Sequence, residues 1–175
     1  QRRAQSFLLG TAGTRSFWLV SPVDGTCDPL VELTEAALAD PFFTPDSSLL
    51  VVPTSRALRV WNVPEKRWEP EVPLPAMGRR RVGFVICQGV CSFAVSPSPP
   101  WRVAMAVGES EGVHVMDLAK QTSTMAFSGY QQRVGAAAYQ EVSWLGGDRL
   151  LISLRFPCRR WVVGADGSNP RKVLP

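Results

Sequence analysis

Three stretches of this 175-residue chain repeat one order of apolar and turn-forming residues, and no other feature narrows its possible folds as much. They are DPFFTPDSSLLVVPTSRALRVWNV (40–63), VCSFAVSPSPPWRVAMAVGESEGVHVMDL (90–118) and YQEVSWLGGDRLLISLRFPCRRWVVGADG (139–167). Each opens with an apolar segment that runs into a turn: Phe43 before TPDSS, Val95 before SPSPP, Trp144 before LGGD. A second apolar segment follows: LLVV, RVAMAV or LLISL. After a further polar loop comes a third: LRVWNV, GVHVMDL or RRWVVGA. The unit returns about every 45–55 residues, which is the signature of a repeat architecture.

A fourth copy, lacking its first segment, opens the chain as SFLLG, SFWLVS and PLVEL. The other three copies add a more polar fourth segment: WEPEVPLP (68–75), TSTMAFS (122–128) and PRKVLP (170–175). The repeat is therefore four short strands joined by tight turns, with approximate bounds 1–33, 34–76, 82–129 and 134–175. Pro-Asp, Gly-Gly-Asp and Asp-Gly supply the backbone angles such turns need. The second and third segments are apolar on both faces, as befits strands held between neighbouring sheets, and the fourth is polar like an outer edge. Fifteen Pro and fourteen Gly argue against long helices. No apolar run reaches the roughly 18 residues that cross a bilayer, so no membrane insertion is expected.

Four-stranded sheets repeated in this way make an all-β chain that resembles a β-propeller. FTPDSSLLVVPTSRALRVWNV is similar to the second half of a WD-repeat unit, with Trp61-Asn62 and then Met116-Asp117 at the place of the Trp-Asp dipeptide. The Gly-His dipeptide and structural Asp of that family are absent at comparable points, and His114 falls inside a third strand. The last unit, RRWVVGADGSNPRKVLP, is instead similar to TolB-like propellers. The likeness covers essentially the whole chain and implies about four blades. A stack of blades leaves two apolar faces, and exposing several hundred Å² costs several kcal/mol at about 25 cal/mol per Å². We therefore expect the propeller to be completed by residues outside this sequence, by a partner subunit or by a second copy. The chain does not begin with Met, which fits a piece of a longer protein.

The chemistry-bearing residues are few. There is no GxxxxGK[ST] phosphate loop, no HExxH and no GxSxG elbow. GTAGTRS (10–16) lies between two strands, without the helix start that would hold an anion. Glu109 and Glu111 share a hairpin loop and read as solvated carboxylates, and His114 between Val113 and Val115 reads as a core or interface histidine. Cys87 and Cys91 have CxxxC spacing with no second pair to close a zinc site, so no metal and no cofactor are expected. The four Cys are too few for a disulfide scaffold and read as buried thiols in a reducing compartment, hence an intracellular protein. Trp18, Trp61 and Trp161 on third segments and Trp144 on a first read as packing between blades, whereas Trp68 and Trp101 lie near turns.

Two basic clusters remain: Arg79, Arg80 and Arg81 between the second and third units, and Arg155, Arg159 and Arg160 in the last, with Phe156 and Trp161 beside them. The net charge of +4 permits a polyanion without requiring one. The expectation is a non-enzymatic scaffold that meets other protein subunits through Arg79, Arg80, Arg81, Trp101, Arg159 and Arg160. The alternative is an RNA-contacting subunit of a ribonucleoprotein.

Overall fold

The computed structural model describes residues 7–9, 16–20, 24–33, 37, 39–75, 90–107, 112–128, 138–156 and 158–173. Every regular element among them is a strand, and no helix among them is long and apolar enough to cross a membrane. The chain divides into two compact units, Gln1–Glu71 and Val72–Pro175.

In the first unit, β1 (Phe7–Leu9), β2 (Ser16–Val20) and β3 (Cys27–Glu32) form an antiparallel sheet in the order β1-β2-β3. A second sheet runs β4 (Phe42–Phe43), β5 (Leu49–Pro53), β6 (Ala57–Asn62) and β7 (Arg67–Trp68) in chain order. Phe17, Leu33, Ala37, Leu50 and Val52 share one core, with Trp61 and Trp68 packed against it. The two indoles meet edge to face at 5.2 Å, a favoured aromatic geometry.

The TPDSS hairpin between β4 and β5 is held by its own carboxylate. Asp46 Oδ1 accepts from Thr44 Oγ1 (2.7 Å), Ser48 Oγ (2.8 Å) and Ser48 N (3.0 Å). Partial desolvation pushes the Asp46 pKa up, but the hydrogen bonds from Thr44 and Ser48 together outweigh it and leave the carboxyl below its ordinary 3.8. A depressed folded-state value contributes stability that is present above the unfolded pKa and lost as pH falls through the folded one. Wild type is expected to lose more of its urea midpoint than Asp46→Asn as pH drops below about 5. Parallel losses in the two proteins would contradict this.

The second unit contains the short β8 (Val72–Pro73) and two meanders. One comprises β9 (Val90–Val95), β10 (Arg102–Val107), β11 (Gly112–Asp117) and β12 (Thr122–Phe127), neighbours in chain order. The other comprises β13 (Ala138–Trp144), β14 (Arg149–Phe156), β15 (Arg159–Gly164) and β16 (Arg171–Val173), also in chain order. The two sheets press together over Ala104, Ala106, Val113, Val142, Leu150, Ile152, Leu154 and Val163, all buried in one cluster. Polar groups cross the seam as well: Trp144 Nε1 donates to the Ala94 carbonyl at 3.0 Å, and Val142 N donates to Ser92 Oγ at 3.3 Å. Gly167 completes the fit at φ +87°, where an added Cβ would stand 3.3 Å from the Ala126 carbonyl oxygen.

The sequence repeat is also a repeat of hydrogen bonds. The first hairpin of each full sheet closes through Thr44 N to Leu49 O (2.9 Å), Ser96 N to Arg102 O (2.8 Å) and Leu145 N to Arg149 O (2.9 Å). The residue just before each second strand then accepts from the end of the third, as Val63 N to Ser48 O, Leu118 N to Trp101 O and Ala165 N to Asp148 O. Asn62, Asp117 and Gly164 face Leu49, Arg102 and Arg149 in register. The second residue of the Trp-Asp-like dipeptide thus has a mechanical role. Asn62 Oδ1 accepts from Glu65 N at 3.1 Å, and Asp117 Oδ1 accepts from Ala119 N at 3.0 Å and Lys120 N at 2.9 Å. At Gly164 a Cβ would meet Ser168 Oγ at 2.4 Å, and the turn is held instead by Asp166 Oδ1 accepting from Ser168 N at 2.9 Å. We expect Asp117→Ala to cost about 1 kcal/mol in urea denaturation and Asp117→Asn distinctly less, because the amide oxygen still accepts.

Three expectations are corrected. Trp18 is 37% exposed rather than packed between sheets, because β2 turns the neighbouring Phe17 inward at 1%. Cys27 and Cys158 are exposed rather than buried, since Cys27 opens β3 after a turn and Cys158 sits in the turn before β15. The fourth segment at 68–75 is two short strands, β7 and β8, separated by Pro70, which has no N–H to continue a ladder. Trp68, read as lying near a turn, is half-buried at the end of β7 with its ring packed against the core.

Candidate functional site

Strand alternation decides what each face of the β13–β16 sheet presents, because residues directly opposite in an antiparallel pair share a face. Leu150, Ile152 and Leu154 of β14 register with Val163, Trp161 and Arg159 of β15, and the apolar members of this set form the core. The opposite face carries Arg149, Leu151 and Ser153, registered with Gly164, Val162 and Arg160. On β16, Arg171 and Val173 register with Val162 and Arg160 and so join that outer face.

The expected site residues are consequently not one constellation. Arg159 and Arg160 are both exposed but point to opposite faces of β15. Trp161 projects toward the core, with its ring 5.4 Å from Phe127, so it does not interleave with Arg160. Trp101 is half-buried in the turn before β10. That turn is tied to the Arg149 end of β14 through the Arg102–Asp148 bridge, whereas Arg159 pairs with Leu154. Five residues of extended chain, about 17 Å, separate the two ends. Arg79, Arg80 and Arg81 lie outside the described residues, as do Glu109, Glu111 and Cys87. The side chains of Cys91, Arg155 and Phe156 also lie outside the description. His114 lies in β11, half-buried.

What the register brings together instead is a cleft of about 490 Å³ where β14, β15 and β16 meet the 165–170 turn. Arg102, Arg149 and Arg171 supply its cations, and Asp148 and Asp166 its carboxylates. Arg102 is committed: its Nη2 lies 2.5 Å from Asp148 Oδ1 and its guanidinium stands 5.0 Å from the Trp144 ring centre. The first unit repeats this device in Arg59, with Nη1 2.6 Å from Glu71 Oε1 and the guanidinium 4.6 Å from the Trp68 ring. Both are cation–π stacks locked by a carboxylate. Hydrogen bonds from Ser168, side chain first and then backbone, keep Asp166 ionised below its ordinary 3.8. Arg149 and Arg171 are exposed and make no side-chain hydrogen bond or ion pair among the described residues. Sequence reasoning passed over both, because they lie 22 positions apart and converge only through the register of three strands. The repeat unit would have placed Arg149 at the start of a second strand, but the alignment of β16 depends on the turn at 165–170.

No protein-family model matches the sequence, and no curated protein matches it. Solved structures do resemble the fold. An oligogalacturonate lyase in complex with manganese superposes with a TM-score of 0.64 at 14% identity, over 91% of this chain and 46% of its own. The WD40 repeats of RRP9 superpose with a TM-score of 0.61 at 11% identity, over 95% of this chain and 47% of their own. The dihydro-heme d1 dehydrogenase NirN superposes with a TM-score of 0.65 at 14% identity, over 97% and 35%. The chain thus spans between about a third and half of the length of the structures it matches. At such identities the shared property is the fold, and the fold is an all-β propeller built of small antiparallel sheets.

Proposed function

We propose that this chain is a WD-repeat-like propeller subunit of a multiprotein assembly, a scaffold without catalytic activity that binds other protein subunits. The observation that supports this most is the contrast between a rigid interior and an unsatisfied exterior. Leu150 and Ile152 are fully buried, while the same sheet holds Arg149, Arg160, Arg171 and Val173 outward and exposed. Rigid sheets that display charged and apolar anchors bind with little loss of side-chain and loop freedom. Similarity to the WD40 repeats of RRP9 is consistent with this reading, and the lyase and dehydrogenase share the fold, which by itself implies no common chemistry. On the same proposal the propeller is completed by further residues, a partner subunit or a second copy. The module works inside the cell, in cytoplasm or nucleus, where an exposed thiol such as Cys27 stays reduced.

The test is affinity purification of the tagged chain from native extract, with and without nuclease. Protein partners that persist after nuclease support the scaffold. The second reading, an RNA-contacting subunit, draws on the exposed Arg159 and Arg160. It requires the partners to disappear with nuclease and binding to fall steeply with salt.

A further inference from the structure

The outer face of the β13–β16 sheet is chemically unlike its core face. Arg149, Arg160 and Arg171 stand on it, exposed, among Leu151, Val162 and Val173. Leu151 and Val162 are half-buried and Val173 is 38% exposed. Against the three guanidinium groups the strands place one acid, Glu141, registered with Ser153; of the two carboxylates lining the cleft, Asp148 is paired with Arg102 and Asp166 accepts from Ser168 N in its own turn. Gly164, with no side chain of its own, lies in β15 opposite Arg149 and two residues from the partner of Arg171. The cleft of about 490 Å³ opens there.

We propose that this face docks an acidic, extended segment of a partner protein, whose carboxylates pair with Arg149 and Arg171 and whose alternate apolar side chains cover Leu151 and Val162. The inference rests on the interaction-module reading in its form where a partner subunit, rather than further residues or a second copy, covers this last sheet, and it names the chemistry of that partner. Charge complementarity selects the occupant. Arg149 and Arg171 lack partners among the described residues, and guanidinium groups match carboxylates as two-point donors. An extended chain repeats the same side every 6–7 Å or so, which suits a face where apolar and cationic residues alternate across strands. Nucleic acid is disfavoured because single-stranded binding draws on exposed aromatic platforms, and the indoles of this sheet, Trp144 and Trp161, belong to the core. A second copy is disfavoured by the chain's net charge of +4, which opposes burying this basic face against itself.

The experiment titrates the whole chain against a fluorescent decapeptide of alternating Glu and Val and follows anisotropy. The comparison proteins are Arg149→Ser with Arg171→Ser, and a control, Arg56→Ser, whose exposed side chain lies in the β5–β6 turn. Both changes are at exposed positions, and circular dichroism checks the fold. Saturable binding is expected to weaken roughly five- to tenfold in the double variant. It should also weaken in wild type as salt rises from about 50 to about 200 mM, and stay unchanged in Arg56→Ser. Absence of binding to wild type, equal binding by the double variant, or an equal loss in Arg56→Ser overturns the proposal. Tighter binding of a ten-nucleotide oligouridylate than of the peptide overturns it as well, in favour of a nucleic-acid face. If nuclease-resistant partners are captured equally by wild type and double variant, this face fails and the scaffold stands. If wild type captures none, the scaffold reading itself fails.

Discussion

Leu150→Ala is expected to lower the unfolding free energy by about 2–5 kcal/mol, the range for removing a fully buried leucine from a core that cannot collapse around the gap. Leu150 has no exposed surface. It lies between Trp144 and Val163 in register and inside the cluster shared by the β9–β12 and β13–β16 sheets. Val163 belongs to a strand paired on both sides, and Trp144 is paired with β14 and tied by its indole N–H to the Ala94 carbonyl, so neither moves in freely to fill the space, and the lost contacts and the cavity add. Leu145, three residues past the Val142 core position and 44% exposed in the adjoining turn, is the internal control. Leu145→Ala should stay within about 0.5 kcal/mol of wild type. Urea denaturation followed by both tryptophan fluorescence and circular dichroism checks the pair. Equal effects at the two leucines would mean that the two sheets do not share a core.

The second large effect is expected at Gly112. Its φ of +98° belongs to a region that side-chain-bearing residues rarely adopt, and an added Cβ would lie 2.4 Å from the Phe127 carbonyl oxygen. That oxygen is backbone in β12, where Phe127 registers with Val113, so relief requires breaking the ladder. Gly146 separates the two causes: its φ is +80°, yet a Cβ there meets nothing within 4 Å. Gly146→Ala should cost about 1–3 kcal/mol for the dihedral strain alone. Gly112→Ala should cost clearly more, and the difference between the two variants measures the contact with Phe127. A Gly112→Ala protein as stable as Gly146→Ala would show that β11 and β12 do not approach as described.

The order of elements was legible because it rests on local chemistry. TPDSS, LGGD and ADGS turn the chain through their own side chains and glycines, as Asp46, Gly146, Gly147 and Asp166 do here. The long apolar second strands, LLVV and RVAMAV, declare their burial between sheets, and β5 and β10 are buried over most of their length. The faces were less legible. An Arg-Arg-Trp run looks like one cationic, aromatic surface, yet a strand sends Arg160 and Trp161 to opposite sides, and only the register with Ile152 and Ser153 says which side is core. Trp18 misled for a related reason. Its position in the unit matches Trp61 and Trp161, but Phe17 takes the inward place. The Arg149–Arg171 cleft had no local signal, because strand order and a six-residue turn create it.

The stacking of neighbouring four-stranded sheets is the claim on which the core, the outer face and the proposed docking all depend. It is tested most directly by a nuclear Overhauser spectrum of the chain that resolves the indole N–H of Trp144. Cross-peaks are expected from that proton to Ala94 and its neighbours in β9, 50 residues away in sequence, together with cross-strand peaks along β13–β14 and β9–β10. An indole that shows cross-peaks to its own sheet and none to β9 would contradict it.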